Sequence, residues 1–252
     1  MIELKDISCT FSDGAWSMQK FIAVSPLSVQ LKDGGRYAIV GESGSGKTTL
    51  ARMIAGLQVP ASGNVFVDGN PVYGRNQAGR KHFKCVQLIQ QNSLAALDPK
   101  MTIGKSIEEP LQCFLKLNKP AREKKCEELL ELCHLPKDYY RRLPSELSGG
   151  EQKRVAIARA LAVEPKCLIF DEATNGFDLP LRKKIVEEVV ELQKRIGFMM
   201  LFITHDIELA IAVADEILVM KNSNLIEQVE FSGDISVFAS DYSKLLLRAS
   251  GL

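Results

Sequence analysis

The sequence predicts an α/β fold: a parallel sheet covered by helices, with an N-terminal antiparallel β region ahead of it and a helical subdomain inserted into it. Three observations carry this expectation. Runs apolar on both faces recur at Tyr37-Ala38-Ile39-Val40, Cys167-Leu168-Ile169-Phe170 and Met199 to Ile203, as central parallel strands require. Between the last two, Ile185, Val189, Leu192 and Ile196 mark one face of a charged helix, so helix follows strand. The middle of the chain, roughly residues 92–154, holds no strand-like run and carries a charged helical pattern over Lys119 to Leu132.

The first segment, Ile2 to Leu31, mixes short apolar runs with the turn residues Asp13-Gly14 and is followed by Asp33-Gly34-Gly35, which reads as antiparallel β structure. After the Tyr37–Val40 run comes a glycine-rich turn. Leu50, Ile54 and Leu57 then recur at helical spacing, with Pro60 just past the expected end. Near the C-terminus, Asn222-Ser223-Asn224 reads as a hairpin turn, followed by a short terminal helix. The whole of 1–252 is expected to form one domain, with 92–154 as its helical subdomain.

Composition narrows the function classes. The chain is 46% hydrophobic and 25% charged, ordinary for a globular protein, and its net charge of +1 points to no electrostatic nucleic-acid or membrane-surface binder. The start, MIELKDISCTF, carries charges where a signal peptide needs an apolar core. No apolar stretch approaches bilayer length; even Ala210 to Met220 contains Asp215 and Glu216. A membrane role would therefore come through partner proteins, with this chain cytosolic. Six scattered cysteines include no C-x-x-C pair, and Cys133-His134 near Cys126 has poor spacing for a metal site, so the thiols read as reduced and structural.

The segment Gly41-Glu42-Ser43-Gly44-Ser45-Gly46-Lys47-Thr48 fits G-x-x-x-x-G-K-[ST] completely. Its glycines let backbone N–H groups turn inward onto phosphate oxygens, and the following helix, with Thr49 in its first turn, aims its positive end at the same place. Lys47 would reach the β and γ phosphates and Thr48 would ligate Mg²⁺, the pattern of a P-loop NTPase core that binds a nucleotide. Asp171-Glu172 follows the second apolar run, where an α/β sheet presents its ligand crevice. Asp171 would hold the Mg²⁺ shell and Glu172 would polarise the attacking water. His205, after the third run, can link the γ-phosphate to that carboxylate.

Leu147-Ser148-Gly149-Gly150-Glu151-Gln152 has no role in a generic P-loop enzyme, and here the chain resembles the ABC ATPases, whose signature sequence this is. Ser148, Gly149 and Gly150 open a helix, a second anion site that makes sense if it serves another subunit's ATP. The resemblance implies head-to-tail pairing, with ATP between one P-loop and the other signature. It also implies that Gln91 is the glutamine that senses Mg²⁺ and the transmembrane partner, with Gln90 as the alternative register. Asp178 resembles the aspartate that communicates across the dimer. Phe11 resembles the aromatic that stacks on adenine, with Trp16 as runner-up and core packing as the competing role for Phe11.

Ser93 to Leu111, Leu130 to Arg159 and Asp241 to Leu246 resemble ATPases of oligopeptide, dipeptide and nickel importers, most closely the second ATPase of the pair. That resemblance implies a bacterial importer at the cytoplasmic membrane face, with two transmembrane permeases, a related ATPase subunit as heterodimer partner and an extracytoplasmic binding protein, and with peptides, nickel or metal chelates as cargo. No nucleic-acid partner is expected. Two features depart from the family: Ala173 replaces the usual proline after Glu172, and Thr174-Asn175-Gly176-Phe177 replaces the usual approach to Asp178. Many members of the family have a longer C-terminal extension, some with a cysteine cluster, and no such regulatory module is expected in this sequence. The alternatives are an ABC ATPase of another transporter or of a non-transport process, or a regulatory half-site with low hydrolysis. Against these stand the single core without a coiled-coil insertion and the presence of Glu172 and His205.

Overall fold

A computed structural model describes residues 1–12, 20–74, 79–90, 97–173 and 176–252. Strands β1 (Ile2–Ser12) and β2 (Lys20–Leu31) pair antiparallel, and with β4 (Ser62–Val67) and β5 (Asn70–Pro71) form a sheet ordered β2-β1-β4-β5. Ile2 and Leu4, like Val29 and Leu31, alternate with more exposed residues, the pattern of a sheet buried on one face. Register shifts in β1 follow Leu4, where Asp6 takes a left-handed backbone, the mark of a bulge.

The main sheet has the order β10-β9-β3-β8-β7-β6. It comprises β3 (Arg36–Val40), β6 (Val86–Ile89), β7 (Cys167–Asp171), β8 (Met199–Thr204), β9 (Glu216–Lys221) and β10 (Asn224–Glu230). All neighbours run parallel except β9 and β10, which the hairpin at Asn222 and Ser223 joins antiparallel. Both turn residues have positive φ (47° and 66°), as a two-residue hairpin of matching twist demands. Every residue of β7 and β8 is buried. Their alternate residues feed two cores: Phe170 and Phe202, stacked at 5.6 Å, face the helical side, while Ile169 and Ile203 face the antiparallel sheet and helix α1 (Lys47–Ile54).

Helix α2 (Arg80–Cys85) precedes β6. Between 97 and 161 no strand occurs among the described residues. Helix α3 (Ile103–Pro110) runs into a π-helical turn at Leu111–Leu115, then come α4 (Lys119–Leu132), capped by the Asn118 side chain, and α5 (Gly149–Leu161). Helix α5 continues through residue 154 to Leu161, carrying this region back onto the sheet. The largely buried Glu108 accepts from Arg122 Nε at 3.0 Å and from the Tyr140 hydroxyl, so its charge is balanced inside the helical layer. Helices α6 (Leu179–Ile196), α7 (Ile207–Val213) and α8 (Asp241–Ala249) complete the fold.

Two residues expected on buried helix faces are not there. Helix α1 ends at Ile54 and Gly56 turns the chain through φ 79°, so Leu57 lies outside the helix and is exposed. In α6, Ile185, Val189 and Leu192 are buried as expected, but Ile196 is exposed, because the helix stops there at left-handed Gly197. Among the described residues no helix is long and apolar enough to cross a membrane.

Candidate nucleotide site

The glycine loop joins β3 to α1. A β-carbon on Gly41 would stand 2.0 Å from the Met220 carbonyl oxygen, and one on Gly46 2.3 Å from that of Ala23. Neither position has room for any side chain, and Gly46 opens α1 with a left-handed backbone (φ 99°). No side chain caps α1 and no acid sits in its first turn, so its free N–H groups and positive dipole end are open to an anion. Glu42, Ser43 and Gly44 form an exposed rim, Ser45 is buried, and Thr48 and Thr49 are half-buried.

Lys47 is buried, and its Nζ donates to the carbonyls of Gly41 (2.8 Å) and Glu42 (2.7 Å), which holds the amine inside the loop. Burial lowers its pKa, opposed by the nearby charges of Glu172, Asp171 and Glu42. The Thr48 hydroxyl donates to Asp171 Oδ1 at 3.0 Å. Burial raises the Asp171 carboxyl above the ordinary carboxylate value; the Thr48 bond acts against this, and the neighbouring Glu172 charge adds to it.

Glu172 leaves β7 with a left-handed backbone (φ 47°) while its N–H still donates to the Ile203 carbonyl at 3.0 Å. This turn redirects its side chain at the strand end, a backbone state uncommon outside glycine. His205 Nδ1 stands 3.9 Å from Glu172 Oε1, with the imidazole half-exposed. The next residue, Asp206, caps α7 and accepts from Arg182 at 2.7 Å, tying the start of α6 to the start of α7.

Ser148 is the N-cap of α5, and Glu151 closes a reciprocal capping box by accepting from the Ser148 N–H and hydroxyl, both at 2.7 Å. The Tyr139 hydroxyl also donates to Glu151, and these bonds bring its carboxyl down to about 2. Ser148 and Gly149 are exposed, and among the described residues no hydrogen bond joins Ser148, Gly149 or Gly150 to the P-loop. A β-carbon on Gly149 would stand 3.1 Å from the Phe177 ring, which follows left-handed Gly176. The Asp178 side chain caps α6 by accepting from the Leu181 N–H at 2.9 Å. Phe11 is exposed and pairs in register with exposed Phe21, so its ring stands free of both cores. Gln91, Trp16, Thr174 and Asn175 lie outside the described residues.

The structure adds residues that sequence reasoning gave no role. The Glu42 N–H donates to the Tyr242 hydroxyl at 3.1 Å, so α8 touches the P-loop across 200 residues of sequence. Lys153 reaches the Gln90 carbonyl, and Arg182 reaches Asp206. Only Glu151 had a legible signal, the S-x-x-E spacing of a capping box.

Comparison with known proteins bears on the family and the fold. Residues 24–175 match the family described as ABC transporter. The nickel import ATP-binding protein NikE of Escherichia coli (strain K12) is 35% identical over 252 residues, covering 99% of this chain and 94% of the relative. The NikE of strain 536 is 36% identical with the same coverage. Among solved structures, the ATP-binding cassette MJ0796 in a dimeric post-hydrolysis state with ADP and Pi superposes with TM-score 0.79 at 28% identity, covering 93% of this chain and all of the other. The cbiO1 protein of Clostridium perfringens, part of the ABC transporter complex cbiONQ, gives TM-score 0.78 at 27% identity, covering 91% of this chain and 88% of the other. A P-loop and a signature helix on one six-stranded sheet, together with these matches, make the chain a member of the ABC transporter family, as one of its ATP-binding subunits.

Proposed function

We propose that this chain hydrolyses ATP with Mg²⁺ as one ATPase of a bacterial importer for peptides, nickel or metal chelates. The observation that carries hydrolysis is the convergence of the helix after the P-loop with two strand ends. The first turn of α1 meets the end of β7 through Thr48 and Asp171, 3.0 Å apart, and the ends of β7 and β8 meet through Glu172 and His205, 3.9 Å apart. The hydroxyl and carboxylate of the first pair are hard oxygen donors suited to Mg²⁺, with Gln91 as a further ligand. When bound, Mg²⁺ supplies positive charge against the phosphate oxygens.

The P-loop N–H groups and Lys47 hold the phosphates, and Ser45 and Thr49 shape the loop. Glu172 takes a proton from the attacking water as that water's oxygen bonds to the γ-phosphorus and the bond to the ADP oxygen breaks. His205 orients the water and the γ-phosphate. Phe11 stacks on adenine. Ser148, Gly149 and Gly150 serve the ATP of a related ATPase subunit, and Asp178 faces that subunit across the dimer. Two permeases and an extracytoplasmic binding protein complete the complex at the cytoplasmic membrane face, and the likeness to NikE supports nickel among the cargoes. Uptake of nickel, of a nickel chelate and of a labelled oligopeptide by cells lacking the chain tests the reading. Loss of one uptake supports import and names the cargo; undiminished uptake of all three contradicts it.

A further inference from the structure

Lys153 lies five residues beyond Ser148 on α5 and is 1% exposed. It lines a small buried space together with Phe170, Ala173, Val186 and Phe202, at the junction of β7, β8 and α6. At the far end its Nζ donates to the Gln90 carbonyl at 2.9 Å, across 63 residues of sequence. Burying an ammonium group is costly, and an aliphatic side chain would fill the same space without that cost. What an aliphatic side chain could not do is hold the backbone that leads directly into Gln91. Because α5 is one unbroken helix from Gly149 to Leu161, Lys153 and the signature end share one element, and a shift of that end carries this anchor with it.

We infer that Lys153 is a positioning residue, tying the signature helix that serves one ATP to the backbone that presents Gln91 to the other. This rests on the reading above, in which Gln91 serves the chain's own nucleotide and Ser148 to Gly150 serve the partner's. The bond transmits position in both directions: closure on the signature moves the Gln90 backbone, and displacement of Gln91 pulls on α5.

The test is a double-mutant cycle in the full chain, assayed with its paired ATPase subunit. K153M fills the space without a donor, and K153Q keeps an N–H donor. K153M should lower ATP turnover about 10-fold with KM for ATP within about 2-fold, and K153Q should recover most of that loss. In a Q91A background K153M should add less than about 2-fold. Hydrogen exchange gives an independent readout: K153M should speed amide exchange over residues 86–91 and leave residues 47–54 unchanged. Full additivity of K153M on Q91A, or unaltered exchange at 86–91, overturns the inference while the role of Gln91 stands. Q91A with native turnover overturns the role of Gln91 and the inference with it. Should K153M fail to fold, K153L, likewise apolar and without a donor, on Q91A and on the native chain completes the same cycle with the same criteria.

Discussion

The Thr48 hydroxyl donates to Asp171 Oδ1 across 3.0 Å, fastening the first turn of α1 to the end of β7. This contact puts two oxygen donors from segments 123 residues apart at one point beside the buried Lys47. D171N keeps an acceptor for Thr48 but removes the charge. Its ATP affinity in Mg²⁺ should fall about 10-fold or more, while affinity in EDTA stays within about 2-fold of native. Titration calorimetry with and without EDTA measures both; equal losses in the two conditions would count against a metal role for Asp171.

Lys153 gives a pH signature of stability. Burial lowers its pKa to about 8, against about 10.4 in an unfolded chain. A cation with a depressed folded pKa contributes stability that is present above the unfolded value and lost as pH falls through the folded one. Between pH 8 and 10 the unfolded chain binds more protons at this site, so stability from Lys153 rises with pH. Urea unfolding of the native chain and K153M should therefore show the native chain gaining on K153M by roughly 2 kcal/mol across that window. A difference that stays flat with pH would contradict the buried placement.

Glu151 behaves oppositely. Bonds from the Tyr139 and Ser148 hydroxyls and the Ser148 N–H hold its carboxyl at about 2. Its contribution is present above the ordinary glutamate value near 4.3 and is lost as pH falls toward 2. E151A should cost about 1 kcal/mol at pH 7, the usual worth of a helix cap, and the gap to native should narrow in acid. Thermal melts at pH 7 and pH 3 check this, and a gap that widens in acid would be inconsistent with the capping box.

Much of the site is legible in the sequence because its parts are local. The P-loop needs eight consecutive residues, Asp171 and Glu172 sit at the end of a run apolar on both faces, and Ser148 opens a helix whose Glu151 completes a known spacing. The charge pattern bounds helix α4 correctly at Lys119 and Leu132 because it is uninterrupted. Contacts made across long stretches of chain are not legible. Nothing near Lys153 announces Gln90, nothing in the terminal helix announces Glu42, and the left-handed turn at Glu172 has no signal in its neighbours. Leu57 and Ile196 fail for a different reason: apolar periodicity continues past the point where Gly56 and Gly197 end the helices.

Phe177 lies against Gly149, and a β-carbon there would come within 3.1 Å of its ring. G149A should therefore weaken ATP-dependent association with the paired subunit, and F177L, by shortening the side chain, should relieve part of that loss. Light scattering of the ATP-bound pair measures both. Equal losses from G149A in the native and F177L chains would show that Phe177 does not bear on the signature.

In the proposed reaction Glu172 is the base, turned left-handed off β7 with its Oε1 3.9 Å from His205 Nδ1. E172Q keeps the shape and removes the base. Single-turnover ATP hydrolysis by E172Q with its paired subunit, followed together with particle size, is the most direct measurement. Loss of at least about 100-fold in the rate, with a persistent ATP-bound dimer, is the predicted result. Hydrolysis at the native rate, with no trapped dimer, would contradict it.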